Sequence, residues 1–291
     1  MKILVTGGAG FIGSHLSERL IKEGMSVFCL DNFDSYYSSA IKRRNIAPLL
    51  GKNHFALAKG DIRDSGTLEK LFRRTSMDVV IHLAARVGVR SSIQDALSYN
   101  DVNVTGTLNL LRLSSKHSVK QFVFASSSSV HGTAKKVRLS EEDQLTPISP
   151  YGVSKQAGEA YCHVYSRLHR MPTTCLRLFT VYGPRQRPDM AIHKFTKLID
   201  ESKEIPIYGD GNSKRDYTYV SDIIDGIMKA LRRKFDFEII NLGSSTAIPL
   251  KYVISLIEQN LGRRARIKAL PDQPGDVPIT CADLRLSLIH I

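Results

Sequence analysis

The sequence predicts an α/β protein in which a doubly wound parallel sheet is followed by a smaller C-terminal lobe. Short apolar runs of strand length alternate with longer segments of helical spacing through the first 180 residues. That alternation is typical of a parallel sheet covered by helices on both faces. A glycine-rich turn joins the first strand to the first helix. After residue 180 the elements shorten and Gly, Pro and polar residues cluster, which predicts the start of a second lobe.

The strands of the sheet are predicted at residues 2–6, 26–30, 54–58, 78–82, 121–125 and 173–178. Helices are predicted between them at 12–23, 65–74, 99–115 and 151–169. In the second half we expect a helix at 221–232, a strand around 238–241 and a helix at 249–260. The predicted division is one domain over 1–180 and a lobe over 181–291 that partly returns to the sheet. The final run, 284–291, shows no turn, cap or clear partner, and we expect the chain to be truncated there.

Composition narrows the class of protein. The chain has 291 residues with a net charge of +13, but its Lys and Arg residues are spread along it and form no nucleic-acid motif, so we expect no nucleic-acid partner. No apolar run approaches the roughly 20 residues that span a bilayer, and no signal peptide opens the chain, which predicts a cytoplasmic protein without a membrane partner. The four cysteines lack the close spacing of a metal or redox motif. We therefore expect buried thiols and no metal site.

The first predicted strand runs into a dinucleotide-binding glycine pattern. Gly8, Gly10 and Gly13 have the spacing of the dinucleotide fingerprint, which can also be read as Gly7, Gly10 and Gly13. Glycine lets the backbone turn tightly and approach a pyrophosphate. Phe11 and Ile12 then open the first helix, whose free N–H groups attract phosphate. A glycine triplet alone is a weak signal, but this one follows a strand and opens a helix. The context favours a bound dinucleotide over an ordinary turn.

Acidic residues after the second and third predicted strands indicate which dinucleotide binds. Asp31 lies near the expected acidic position, about 20 residues past the glycines, where a carboxylate accepts hydrogen bonds from the adenosine ribose. The same carboxylate would repel a 2′-phosphate, so NAD is favoured over NADP. Asp61 and Ile62 follow the third strand, and two interpretations of them stay open. They contact the adenine, or Asp61 is a turn or helix-capping carboxylate.

A tyrosine and a lysine at helical spacing suggest acid–base chemistry. Tyr151 and Lys155 are four residues apart and share one helix face. An ammonium group near a phenol stabilises the phenolate and lowers its pKa, which would make Tyr151 a general base. Ser127 lies where the fifth predicted strand ends, at the edge of the sheet where ligands bind. Such Tyr/Lys pairs also occur on ordinary helix surfaces, so the serine segment strengthens the interpretation.

Together these segments resemble the nucleotide-sugar epimerases and dehydratases of the extended short-chain dehydrogenase/reductase family, and most of all UDP-glucuronate and UDP-glucose 4-epimerases. The resemblance covers nearly the whole chain and is carried by residues 6–13, 31–32, 82–85, 103–107, 126–132, 151–155, 177–184 and 215–217. It implies an NAD-binding Rossmann domain and a substrate-binding lobe. It also implies that Ser127, Tyr151 and Lys155 are catalytic. Further cofactor contacts are implied at Asn32, Leu83, Ala84 and Ala85.

The implied reaction is epimerisation at C4 of a UDP-sugar through a transient 4-keto sugar, with NAD staying bound. The resemblance also implies a homodimer formed through the helices predicted at 99–115 and 151–169. One position departs from the family pattern, since His131 stands where relatives have a tyrosine. That tyrosine mostly lines the site, so the departure affects local packing or ligand contact.

Several alternatives stay open. Related 4,6-dehydratases and decarboxylases carry a carboxylate just after the catalytic hydroxyl residue, whereas this chain has Ser128 and Ser129. Both activities are therefore disfavoured, because elimination lacks its proton carrier. A non-catalytic NAD-binding sensor is disfavoured because Tyr151 and Lys155 are both present.

The sugar is harder to assign from the sequence. UDP-glucuronate is favoured over UDP-glucose because Thr180 replaces the usual asparagine, and because Arg185 and Arg187 suit a C6 carboxylate. The competing interpretation is that these two arginines bind the diphosphate or face solvent. The remaining substrate contacts implied by the resemblance are Arg90, Ser128, Arg215 and Asp276.

Overall fold

The strands of the protein are short, as the sequence predicts for a parallel sheet. A computed structural model describes residues 1–133 and 136–290. Its strands β1 to β12 are Lys2–Thr6, Ser26–Asp31, Phe55–Lys59, Val79–His82, Gln121–Ser127, Thr173–Leu178, Thr180–Tyr182, Glu204–Tyr208, Lys214–Tyr219, Phe237–Leu242, Ala247–Pro249 and Arg266–Leu270. All six strands predicted in the first 180 residues are present, with ends that shift by at most two residues.

The helices alternate with these strands. Helices α1 to α11 are Phe11–Lys22, Ser39–Ile46, Ser65–Arg74, Val89–Gln94, Ala96–Asn100, Gly106–Lys116, Pro150–His169, Ala191–Asp200, Val220–Arg232, Leu250–Leu261 and Arg285–His290. Short 3-10 turns follow α2 and β5. Within the described residues no helix combines the length and apolarity needed to cross a membrane.

Seven parallel strands form the main sheet, in the order β10-β6-β5-β4-β1-β2-β3. The order reverses between β1 and β4, so the connections on the two sides of this point run in opposite directions. Successive residues of a strand point to opposite sides of the sheet, so both faces carry apolar side chains, and helices cover both of them. Ile3 and Val5 of β1 pack in the core that α1 and α9 share, whereas Leu4 packs with α3, α6 and α7. This is the predicted doubly wound arrangement.

The second half of the chain forms smaller units around the edge of this sheet. Strand β10 returns to the main sheet beside β6. Strands β11, β9 and β7 form a three-stranded sheet, and β12 pairs with β8. Helices α8 and α10 pack on β8 around Phe195, Ile205 and Ile257. The sequence did not predict the short strands here, because three- to six-residue runs interrupted by polar residues carry little periodic signal.

The helix predicted at 99–115 is interrupted. Helices α5 and α6 are joined by a π-helical turn, Asp101–Thr105. Asn103 within this turn accepts from the backbone N–H of Arg86 and donates to its carbonyl, at 2.8 and 3.0 Å. Asn103 also donates to Ser154 Oγ at 2.9 Å. This π-helical turn, which is wider than an α-helical one, places the Asn103 amide against the loop after β4.

The expectation that residues 284–291 have neither cap nor partner is wrong for the part that the structure describes. The Asp283 carboxylate accepts from the backbone N–H of Arg285, at the start of α11. Leu284 packs with Leu139 and Phe179. Ile291 lies outside the described residues.

A buried ion pair ties the long helix α7 to the sheet. Glu159 of α7 accepts from Arg177 of β6 through both carboxylate oxygens, at 2.9 and 2.8 Å. Both side chains are almost wholly inaccessible to solvent. Ser126, at the end of β5, donates to the same carboxylate at 2.5 Å. Removing one partner of such a pair leaves a buried charge uncompensated.

We therefore expect Arg177→Met to lower the free energy of unfolding by about 3–5 kcal/mol. The double variant Arg177→Met/Glu159→Met should recover much of that loss, because neither charge is then buried alone. Urea denaturation followed by circular dichroism measures both. Arg73→Met is the matched control, since Arg73 pairs with Glu69 on the helix surface and its loss should change stability little. If Arg177→Met and Arg73→Met lowered the free energy of unfolding equally, this role of the buried pair would be contradicted.

Candidate active site

A cleft opens at the carboxyl ends of the main strands, where the strand order reverses between β1 and β4. Ligands of doubly wound sheets bind at this point because the flanking connections diverge there. The cleft contains every predicted cofactor-binding and catalytic residue: Gly7, Gly10, Phe11, Ile12, Gly13, Asp31, Asn32, Asp61, Ile62, Leu83, Ala84, Ala85, Ser127, Tyr151 and Lys155. Residues from six separate segments of the chain thus meet in one space.

The glycine turn after β1 is packed too closely for side chains. Gly7 has φ 69°, and a β-carbon there would lie 2.8 Å from the backbone nitrogen of Ala84. A β-carbon on Gly13 would lie 2.2 Å from the carbonyl oxygen of Gly7. Helix α1 begins just after Gly10, with no acidic side chain in its first turn. The turn therefore offers free backbone N–H groups to an anion, which suits a pyrophosphate.

Asp31 ends β2 at the side of the cleft. Its carboxylate accepts from the backbone N–H groups of Phe33 at 2.8 Å and Ala9 at 3.1 Å, which fixes its orientation. Burial raises its pKa, while these N–H groups oppose the rise. A carboxylate oxygen accepts more than one hydrogen bond, so capacity remains for ribose hydroxyls. Together with the glycine turn, Asp31 fits NAD.

Asp61 is fixed by a neighbouring cation. Arg63 donates to both of its oxygens at 2.9–3.0 Å, and Asn32 donates at 2.9 Å. The Arg63 guanidinium lowers the pKa of Asp61 to about 2. Asp61 thus orients Asn32 at the wall of the cleft, and both of the open interpretations of Asp61 remain compatible with this position.

Tyr151, Ser127 and Lys155 all line this cleft. Burial raises the pKa of Tyr151, and a hydrogen bond with the Ser127 hydroxyl partly opposes that rise. Ser127 Oγ also accepts from the backbone N–H of Ser129 at 3.2 Å. Lys155 is buried, and its Nζ donates to the carbonyl of Ala125 at 2.7 Å. Two of its three N–H groups therefore remain for ligands in the cleft.

The expected effect of Lys155 on Tyr151 needs correction. Burial raises the pKa of Tyr151, and the groups that lower it are the Ser127 hydroxyl and the Arg187 guanidinium, not Lys155. The Lys155 ammonium is itself disfavoured, since burial lowers its pKa to about 8. Burial thus sets the direction of the change in the pKa of Tyr151, and Arg187, which the sequence suggested only for substrate binding, opposes it in part.

A second cavity adjoins the first. Both are lined by Ser128 and Thr180, which lie beside the catalytic group, and only the second is lined by Arg215 and Asp276. Arg215 donates to the backbone carbonyls of Lys214 and Pro278, and burial lowers its pKa. Arg215 is partly buried, its hydrogen bonds go to carbonyls, and the Asp276 carboxylate balances part of its charge. Such a cation is suited to an anionic ligand.

Arg90 lies at the edge of this second cavity. It pairs with Asp276 at 2.6 Å and stacks on the ring of Tyr208 at 4.2 Å. Arg90 lines neither cavity itself, while its partner Asp276 lines the second. The contact of Arg90 with substrate stays a prediction.

The two arginines predicted for the sugar separate. Arg187 lines the first cleft, and Asp189 holds it through Nε and Nη2 at 3.0 Å each. Arg185 points the other way and pairs with Glu18 of α1 at 2.7 Å. Its backbone is left-handed, with φ 65°. Arg185 lines neither cavity in this conformation, and its predicted contact with the sugar is not seen here.

Sequence reasoning missed several residues of the cleft. Tyr36, Tyr37 and Lys42 line it from the loop and helix after β2. The Tyr36 hydroxyl lies 3.4 Å from Asp189, on the opposite side of the opening. Two adjacent tyrosines soon after Asp31 were the sequence feature that could have indicated cleft residues here. The direction of their side chains depends on the conformation of the loop, which hydrophobic periodicity does not predict.

His131, the departure from the family pattern, is fully buried. Neither of its ring nitrogens has a hydrogen-bond partner among residues 1–133 and 136–290. Burial lowers its pKa to about 4. The ring is therefore neutral at pH 7 and lies beneath the site without lining either cavity.

Comparison with known proteins agrees with this site. The model of the NAD dependent epimerase/dehydratase family matches residues 3–243. The chain belongs to this family. A UDP-glucuronate 4-epimerase of Thermodesulfobacterium geofontis is 39% identical over 97% of this chain and 87% of that protein. The family depends on NAD.

Solved structures show the same likeness. UDP-glucuronic acid 4-epimerase from Bacillus cereus, in complex with UDP-glucuronic acid and NAD, superposes with a TM-score of 0.95 and 40% identity, covering 100% of this chain and 92% of that one. UDP-glucose 4-epimerase from Thermus thermophilus with NAD gives a TM-score of 0.90 at 31% identity, covering 99% and 92%.

The close packing at Gly13 generates a test of the cofactor site. We expect Gly13→Ala to abolish NAD retention, because its β-carbon would displace the backbone of the turn. The NAD released from the denatured, purified protein measures occupancy, and circular dichroism checks the fold. Gly66→Ala is the matched control, since a β-carbon there meets only Asp64 Oδ1 at 3.4 Å within α3. Full NAD occupancy in Gly13→Ala would contradict the assignment.

Proposed function

We propose that this protein epimerises UDP-glucuronate at C4 to UDP-galacturonate, with NAD held in the first cleft. The observation that carries the proposal is the junction of the two cavities at Ser128 and Thr180, beside Tyr151. An extended ligand whose diphosphate meets Arg215 in the second cavity would place its sugar at this junction. The likeness to UDP-glucuronate 4-epimerases supports the same substrate.

The proton chemistry follows from three side chains. Tyr151 takes the proton of the sugar 4-hydroxyl at its phenol oxygen and later returns it. Ser127 hydrogen-bonds the same sugar oxygen and, through the phenol, stabilises the phenolate. Lys155, which is fixed on the Ala125 carbonyl, holds the ribose of the cofactor next to the phenol. When bound, NAD would supply the group that takes hydride from the sugar and returns it.

Arg187 is the group that we assign to the C6 carboxylate. Its Nε and Nη2 are occupied by Asp189, so Nη1 remains to donate into the cleft. Charge-assisted hydrogen bonds of this kind are among the strong ones in proteins. UDP-glucose lacks the carboxylate, which makes it the natural comparison substrate. The second candidate function, interconversion of UDP-glucose and UDP-galactose, is supported by the likeness to the Thermus thermophilus enzyme.

The remaining proposals concern organisation. We assign cofactor binding mainly to residues 1–180 and substrate binding mainly to 181–291. We also propose a homodimer formed through α5, α6 and α7, because α5 and α7 expose Leu97, Val153, Val164 and Leu168. Light scattering that finds only monomer would overturn it. The cytoplasm is the proposed location, which the four buried free thiols support.

Turnover of the two sugars tests the function. We expect the purified protein to convert UDP-glucuronate to UDP-galacturonate, with products separated by chromatography. Tyr151→Phe should keep its NAD and lose activity, because only the phenol oxygen is removed. Arg187→Met should lower kcat/KM for UDP-glucuronate about 10- to 100-fold more than for UDP-glucose, given about 1.5–3 kcal/mol for a charged hydrogen bond.

UDP-glucose serves as the internal control, since any effect of Arg187 on the Tyr151 phenol is shared by both sugars. Equal losses for both substrates would remove Arg187 from carboxylate recognition. Conversion of UDP-glucose alone would support epimerisation at C4 but would show that UDP-glucuronate is not the substrate.

A further inference from the structure

The loop that carries Arg187 is fastened to the cofactor helix α1. The substrate loop, residues 183–190, follows β7 and places Arg187 and Met190 in the cleft. The carbonyl oxygen of Pro184 lies 2.9 Å from Nε2 of His15 on α1. One residue later, Arg185 pairs with Glu18 of α1. The loop thus touches the same helix whose first turn faces the pyrophosphate site.

The Arg185 contact is specific in geometry. Nη2 donates to Glu18 Oε1 at 2.7 Å, and Nη1 donates to Ser14 Oγ at 3.3 Å. Both side chains of the ion pair are only partly exposed, so water screens the pair less than a fully exposed one. Ser14 itself is buried in α1. The guanidinium therefore bridges two successive turns of the helix.

The backbone at Arg185 is costly without such an anchor. Its φ of 65° lies in the left-handed region, which a residue with a β-carbon avoids. Nonglycine residues stay in this region only when the surroundings fix them. Arg185 lies within a turn that the N–H of Gln186 closes on the Gly183 carbonyl at 3.2 Å. The Gln186 side chain also donates to the Val181 carbonyl at 3.0 Å. The side-chain anchor on α1 adds to these hydrogen bonds in holding the left-handed residue.

We propose that Arg185 is a positioning residue that holds the substrate loop on the cofactor helix and so places Arg187 over the acidic sugar. The proposal rests on the proposed function for its substrate. Arg185 acts through Arg187 and makes no contact with the sugar. The ordered loop carries the selectivity for a carboxylate, and loss of the anchor lowers that selectivity without removing any group from the cleft.

Two variants break the same ion pair from opposite sides. Arg185→Met changes the loop, whereas Glu18→Gln changes only the helix and keeps a similar shape. Arg19→Met is the matched control, because Arg19 lies on the same helix but pairs with Glu23 and Asp225. Two readouts are compared: hydrogen exchange of the amides in 183–190, followed by mass spectrometry, and steady-state kinetics with both sugars.

We expect Arg185→Met and Glu18→Gln each to speed exchange in the loop and to raise KM for UDP-glucuronate about three- to tenfold, with a smaller change in kcat. The KM for UDP-glucose should change less. The double variant Arg185→Met/Glu18→Gln should change loop exchange and KM no more than the Arg185→Met variant does, since all three variants lose the same ion pair. Arg19→Met should match the wild type in both readouts.

Unchanged loop exchange in both variants would overturn the proposal. So would equal rises in KM for the two sugars, because a loop that positions Arg187 must discriminate between them. If the wild type converts neither sugar, the proposed function fails, and the exchange readout still decides whether the anchor holds the loop.

Discussion

The parallel direction of the seven main strands is the constraint on which the site depends. Parallel strands must be joined by crossovers, and all of their carboxyl ends therefore lie at one edge of the sheet. Because the order reverses between β1 and β4, the crossovers diverge and leave a cleft. The glycine turn follows a strand that ends there, and Asp31 and Ser127 are the last residues of two others. The parallel direction of the strands is enough to bring these residues together.

Helix α7 connects this edge to the interior. Tyr151, Lys155 and Glu159 are spaced four residues apart, so one face of the helix carries all three. Tyr151 reaches the cleft, Lys155 bonds the β5 backbone, and Glu159 pairs with Arg177 below them. Burial of Lys155 lowers its pKa, and the nearby Glu159 carboxylate partly opposes that change. The ion pair thus stabilises the helix and the charge state of the lysine at once.

Much of the first domain could be predicted from the sequence, because its strands are continuous apolar runs and its helices have a regular period. The cofactor turn was predictable for the same local reason, since its glycines lie between a strand and a helix. The π-turn at Asp101–Thr105 was not, because it depends on a contact with Arg86 far along the chain. The direction of Arg185 was likewise hidden, since it follows from one backbone angle and a partner in α1. Residue type predicted which groups could bind an anion, but only the fold decided which of them face the cleft.

The central claim is that the sugar is oxidised and reduced at C4 within one cleft, without exchange of the transferred hydrogen. UDP-glucuronate carrying deuterium at C4 tests this most directly, with the label in the product located by mass spectrometry and NMR. The account predicts that UDP-galacturonate retains the deuterium at C4, because the cofactor that takes it stays in the cleft and returns it. Replacement of the label by solvent hydrogen would contradict the account.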